Sequence, residues 1–208
     1  MLLYLGWSKI MTDNEKLLIP SPLGDFQVLL EHEGGEVEQL KYGETTLGDF
    51  EIETSLKETY PQLIDEMKVS HTYLLDIKIK AQESLKSFRV ICVCIDSSKF
   101  KKGGPSSGEW FDAQTWNNKT HMITLGTQDG DYLASCAEDG KQIPCRFREH
   151  INELGCLDWI EYLKYGISIN VPNLKEKEFV SFKFSLSWKS GSDDEDDSTW
   201  FAASYSLG

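Results

Sequence analysis

Residues 181–188 alternate polar and apolar without a break: Phe182, Phe184, Leu186 and Trp188 against Ser181, Lys183, Ser185 and Ser187. A period of two places the rings on one face of a strand, which commits this stretch to a β-sheet with a buried side. Gly191-Ser192-Asp193-Asp194-Glu195-Asp196-Asp197-Ser198 follows, and then Trp200, Phe201, Ala203, Tyr205 and Leu207 resume the apolar pattern. Read with the same period, the second run folds back as a hairpin whose tip carries five carboxylates, Asp193, Asp194, Glu195, Asp196 and Asp197.

Other segments repeat the β signal. Phe26 to Leu30, then Gly34-Gly35, then Val37 to Tyr42 read as strand, turn and return strand. Phe50 to Thr54 alternates, as do Leu75, Ile77 and Ile79 against Asp76, Lys78 and Lys80. From Phe88 to Ile95 every residue but Arg89 is apolar, the pattern of a central strand covered on both faces. Asp129-Gly130 and Asp139-Gly140 are typical hairpin dipeptides, and with apolar runs around them they predict a meander. Ile167 to Val171 predicts one more strand.

Two helices are expected. Pro61 suits the first turn of a short helix near 61–68 carrying Leu63, Ile64 and Met67. Ile151, Leu154, Leu157, Ile160 and Leu163 recur at helical spacing, which predicts a longer helix over 149–165 ended by Gly166. Residues 97–108, rich in Ser, Lys and Gly, read as a flexible loop and a candidate sub-domain boundary. The expected architecture is α+β and mainly β: an antiparallel sheet or β-sandwich with one short and one longer helix, in a single domain over residues 1–208.

The charge balance narrows the partners. Twenty-one basic against 34 acidic side chains give −13. Phosphate backbones and anionic membranes require clustered Lys and Arg, so neither nucleic acid nor a membrane is expected as partner. A basic protein is, because complementary fields speed encounter. Acidity also keeps a plain cytoplasmic protein soluble, and the acidic tip also reads as a solvated loop. Lys99, Lys101 and Lys102 form the one basic island, but they precede the glycines, the reverse of a phosphate-binding loop.

No motif completes a catalytic or metal site. The contiguous carboxylates of 193–197 lack the internal Gly and spaced ligands of an EF-hand. His32, His71, His121 and His150 form no H-x-x-x-H pair, and His150 with Glu153 on one helical turn lacks a third ligand. There is no G-x-S-x-G elbow. No cofactor is expected. Cys92 and Cys94 fall in an apolar strand, Cys136 and Cys145 flank the second D-G turn as reduced thiols, and Cys156 falls in the expected helix, all suiting a reducing compartment. Asn118-Lys119-Thr120 matches a glycosylation sequon, which matters only in a secreted protein. Met1 to Ile10 are too short to span a bilayer and lack a basic leader; an edge strand, or an over-long start with Met11 as initiator, accounts for them.

The sequence therefore predicts a non-catalytic acidic binding protein of the cytoplasm, of inhibitor or immunity type, that neutralises a basic protein. Its expected contact is Asp193–Asp197 with Trp188 and Trp200 as flanking anchors. The alternative is a small-ligand binder or hydrolase with a pocket near Trp110, Trp116 and His121.

Overall fold

The computed structural model describes residues 15–64, 67–108, 110–191 and 197–207. The strands are β1 (Leu18–Ile19), β2 (Phe26–His32), β3 (Val37–Gln39), β4 (Gly43–Leu47), β5 (Phe50–Thr59), β6 (His71–Ala81) and β7 (Phe88–Cys94). They continue with β8 (Lys102–Gly108), β9 (Phe111–Asn117), β10 (His121–Gln128), β11 (Ile160–Leu163), β12 (Gly166–Val171) and β13 (Phe179–Ser190). Helix α1 covers Gly130–Asp139 and helix α2 Ser198–Leu207. The strands build a six-stranded sheet, β1-β2-β7-β12-β11 with β3 on β2, and a seven-stranded sheet, β4-β5-β6-β13-β10-β9-β8. All pairings are antiparallel, and the fold is mainly β, as the period-two runs predict.

The core lies between the two sheets. Phe26, Val28, Leu30, Val90, Cys92, Ile167 and Ile169 from one sheet share a single buried cluster with Ile77, Ile79, Phe182, Phe184, Ile123 and Leu125 from the other. Such face-to-face burial, at about 25 cal/mol per Å² of apolar surface, is the main stabilising term. Strand β13 is the axis of the larger sheet: Phe184 faces Leu75 of β6 on one side and Thr127 of β10 on the other.

That central position overturns the C-terminal hairpin. Both edges of β13 are already taken, so residues 198–207 have no edge to pair with and form α2 instead. Thr199, Ala202, Ala203 and Leu207 are buried at spacings of three and four, while Tyr205 is 57 % exposed. Helix α2 lies on the outer face of the seven-stranded sheet, where Ser185 and Ser187 of β13 are fully buried. Small side chains there admit a helix at close range.

The D-G meander is likewise replaced by α1. Asp129 is its N-cap, accepting from Tyr132 N at 2.9 Å, and Gly140 ends it at φ 72° with its N–H on Cys136 O at 3.0 Å. Asp-Gly serves helix ends as readily as hairpin turns, and a ten-residue spacing fits three helical turns.

The expected helix over 149–165 is absent. A 3₁₀ turn covers Cys145–His150, Gly155 takes φ 87°, and Asn152 Oδ1 accepts from Leu154 N and Cys156 N in a local turn. Leu154 is 85 % exposed, so its helical spacing marks no buried face. Ile160 to Leu163 instead pair with Gly166 to Ile169 as a hairpin. Near 61–68 the described residues are irregular and Ile64 is 67 % exposed. With nothing to pack against, a one-to-two-turn helix is unstable in water.

Residues 97–108 are not a flexible loop. Asp96 caps a 3₁₀ turn at Ser97–Lys99, and β8 is an edge strand on β9. Pro105 is tolerated because an edge strand has N–H groups to spare. Gly103 is required, since a Cβ there would lie 2.1 Å from Cδ1 of Trp116.

Candidate functional site

The expected contact surface is divided by the fold. Asp193, Asp194, Glu195 and Asp196 lie outside the described residues, as does the stretch from Met1 to Met11. Asp197 is exposed just before α2, and its carbonyl accepts from Phe201 N at 3.0 Å. Trp188 and Trp200 do not flank one face. Trp188 continues the inward row of β13, against His71 at 4.7 Å and His121 at 6.1 Å between ring centroids. Trp200 sits on the outer face against Phe111, at 5.1 Å and 77°. A helix in place of the second strand carries it to the other side of the sheet.

The alternative pocket is dispersed as well. Trp116 is 3 % exposed in the core, stacked on Phe100, with its Nε1 donating to Lys164 O at 3.3 Å. His121 lies at the end of β10 that pairs with Ser190, whereas Trp110 lies beside the opposite end, where Gln128 pairs with Phe111. Without a helix over 149–165, no helical turn joins His150 to Glu153; His150 packs on Phe147.

What the fold does bring together is a set of aspartates that the sequence keeps far apart. Asp112 of β9, Asp129 and Asp131 at the start of α1, and Asp158 before β11 line one cleft of about 260 Å³. Gly130 lets the chain close around it: a Cβ there would lie 2.7 Å from Leu157 O, and Leu157 N donates to Gly130 O at 3.0 Å. The aspartates meet neutral donors. Tyr162 Oη donates to Asp112 Oδ1 at 2.6 Å, Asn152 Nδ2 to Asp158 Oδ1 at 2.9 Å, and Tyr132 N to Asp129. Among the described residues none of the four forms an ion pair with Lys, Arg or His.

Three groups register the resulting field. Burial raises the Asp129 carboxyl above its ordinary range, and the charges of Asp131 and Asp112 add to this against the pull of its backbone bonds. The Cys156 thiol is pushed up to about 11, first by its hydrogen bond to Asp131, then by burial and by the charges of Asp131, Asp158 and Asp129. Tyr162 is raised by burial, by its bond to Asp112 and by the charges of Asp112 and Asp129. Each shift disfavours further negative charge, as unneutralised carboxylates require.

Chemically the cleft is an acceptor for a positive group. Among the described residues no set of three or more His, Cys, Asp or Glu is arranged to hold a metal ion. Among them, too, no helix is long and apolar enough to cross a membrane. The chain matches no protein-family model and no curated protein. Only one signal for the cleft was present in the sequence: Asp129 and Asp139, each followed by Gly, at the spacing of helix caps.

Proposed function

We propose that the chain is a non-catalytic binding protein whose acidic cleft accepts a Lys or Arg side chain of a basic protein and so blocks that protein's working surface. The observation that carries this reading is the convergence of Asp112, Asp129, Asp131 and Asp158 without a cationic partner among the described residues. A guanidinium or ammonium entering the cleft would relieve the repulsion from Asp131 and Asp112 that adds to burial in raising Asp129. The overall −13 charge and the acidic segment 193–197 would steer the encounter. An inhibitor or immunity-type protein works by this chemistry. The five unpaired cysteines suit a reducing compartment, so the cytoplasm is the proposed location.

The test replaces Asp112, Asp131 and Asp158 by Asn together and leaves the cap at Asp129 in place. Lysate of the source cells is passed over both proteins at low salt, and association kinetics are measured for the basic protein that the unaltered chain retains. The triple variant should associate at least about tenfold more slowly, with a flatter salt dependence. An unchanged rate and salt slope would remove the cleft from recognition. A parallel Asn/Gln replacement of residues 193–197 separates steering from docking.

A further inference from the structure

Beside the acidic cleft, on the outer side of the seven-stranded sheet, the rings of Trp110, Phe111, Tyr132 and Tyr205 bound a slot of about 300 Å³. Gln128 lines it and is 2 % exposed. Its Oε1 accepts from Lys183 N at 3.0 Å, where the backbone ladder between β10 and β13 has ended. That bond fixes the orientation of the amide, because a flipped amide would set two donors against each other. The atom left over is Nε2, a buried donor without a partner among the described residues. Leaving such a donor unpaired is a cost to the fold, and the bond that Oε1 makes to Lys183 N does not account for Nε2.

Trp110 is a second anomaly. It occupies the turn between β8 and β9 at φ 67°, where Gly, Asn or Asp would sit without strain. A bulky ring held in that conformation is strained, and strain of this kind recurs at ligand-binding sites. The ring is 48 % exposed, stands edge-on to Tyr132 at 5.5 Å, and its backbone is held to the start of α1 by Asp129 N on Trp110 O at 3.3 Å.

We infer that this slot binds an uncharged, planar heteroaromatic molecule bearing a carbonyl group, with Gln128 Nε2 donating to the carbonyl oxygen and the rings covering its faces. Each part of the ligand answers one observation. The unpaired donor requires an acceptor. The four aromatic side chains favour a flat ring. The volume, at the lower end for ligand pockets, limits it to one or two fused rings. The neighbouring Asp129 and Asp131 carboxylates disfavour a negatively charged ligand. Cation–π capture of an ammonium would use the rings and the field but leave Gln128 Nε2 unpaired.

Nicotinamide serves as the probe, with nicotinate and tetramethylammonium as controls. ¹H–¹⁵N spectra follow the Gln128 side-chain amide and the Trp110 indole N–H through each titration. Nicotinamide should shift both signals saturably, while nicotinate and tetramethylammonium move neither. Gln128→Met, which keeps length and loses the donor together with the acceptor for Lys183 N, should weaken nicotinamide about tenfold. Tyr205→Ala, at an exposed site where folding is retained, should weaken it severalfold. Unmoved signals up to the solubility limit would overturn the inference. So would equal affinity in Tyr205→Ala, or saturation by tetramethylammonium or nicotinate in place of nicotinamide. Recognition of a basic protein through the acidic cleft is untouched by any of these results, so the two readings fail separately.

Discussion

Arg146 holds Glu178 in a two-point grip: its Nε lies 2.8 and 3.0 Å from the two carboxylate oxygens, and its Nη2 lies 2.8 Å from Oε2. The pair ties the 3₁₀ turn after α1 to the entry of β13, and Lys175 N adds a third donor to Oε2 at 2.8 Å. Burial pulls the Glu178 carboxyl upward, but the Arg146 and Lys175 hydrogen bonds and the Arg146 charge outweigh it, leaving the group below its ordinary range. A carboxyl that is more acidic in the fold stabilises the native state above its unfolded pKa, about 4.3. That contribution disappears as pH falls through the lower, folded value. Glu178→Gln should therefore cost about 1.5–3 kcal/mol in urea unfolding at pH 7, and much less below the folded pKa. An equal cost at both ends of the range would contradict the ionic account.

Cys156 offers a chemical reporter of the acidic cleft. Its thiol is pushed up to about 11, led by its hydrogen bond to Asp131. Only the thiolate alkylates readily, so Cys156 should react sluggishly with iodoacetamide near pH 8.5 although it is only half-buried. Asp131→Asn removes the leading cause and should bring the reaction on at lower pH. The exposed Cys145 is replaced by Ser in both proteins so that one thiol dominates the signal. A pH profile that does not move would show that the aspartates do not act on this thiol.

Legibility in the sequence followed a simple physical division. Strands with a strict period of two, or apolar at all positions but one like β7, are readable because burial on a sheet face leaves that pattern directly. The runs at β2, β5, β6, β12 and β13 belong to this class. The misread segments share a different cause: their pattern was compatible with two structures, and tertiary context chose between them. Trp200 to Leu207 fits a strand by alternation and a helix by its Ala and Ser content, and the occupied edges of β13 decided for the helix. Asp129-Gly130 fits a hairpin or a helix cap, and the buried Leu133, Ala134, Cys136 and Ala137 decided for the cap. Ile160 to Leu163 fits a helix by spacing, but Gly155 and the Asn152 turn separate it from the residues before it. Beyond the spaced Asp-Gly caps of α1, nothing in the sequence marks the acidic cleft. Asp112, Asp129, Asp131 and Asp158 become neighbours only once β9, α1 and the β11–β12 hairpin are assembled, whereas the contiguous run at 193–197 stands out by its density alone.

Asp129 has two opposing duties, and substitution separates them. Its side chain caps α1 through Tyr132 N, yet burial and the charges of Asp131 and Asp112 raise its carboxyl. A carboxyl raised in the fold lends stability that is fully present below its unfolded pKa and is lost as pH rises through the folded value. Asn keeps a side-chain acceptor for the cap and carries no charge. Asp129→Asn should therefore unfold at a higher temperature than the parent at pH 7, with the difference closing in acid where the Asp is itself neutral. Asp129→Ala loses the cap as well as the charge and should lie about 1 kcal/mol below Asp129→Asn across the whole range. A destabilised Asp129→Asn at pH 7 would mean that attraction to the helix N-terminus exceeds the repulsion within the cleft.

Helix α2 is docked in part by hydroxyls. Thr124 Oγ1 lies 2.8 Å from Thr115 Oγ1 and 2.9 Å from Thr199 Oγ1, joining the sheet to the first turn of the helix. Thr124 and Thr199 are fully buried, whereas Thr115 is half-buried and within reach of water. Removing one hydroxyl of a buried pair leaves the other short of a partner, while removing both leaves an apolar contact of similar shape. Thr199→Val alone should cost about 1 kcal/mol, and Thr124→Val somewhat more because it is bonded on two sides. The double Val variant should cost less than the sum, since Thr115 can turn to solvent, and a double-mutant cycle from urea unfolding measures that coupling. Strict additivity would mean that the hydroxyls act independently and that α2 is held by Ala203, Leu207 and Trp200 against Leu74, Phe111 and Ala113.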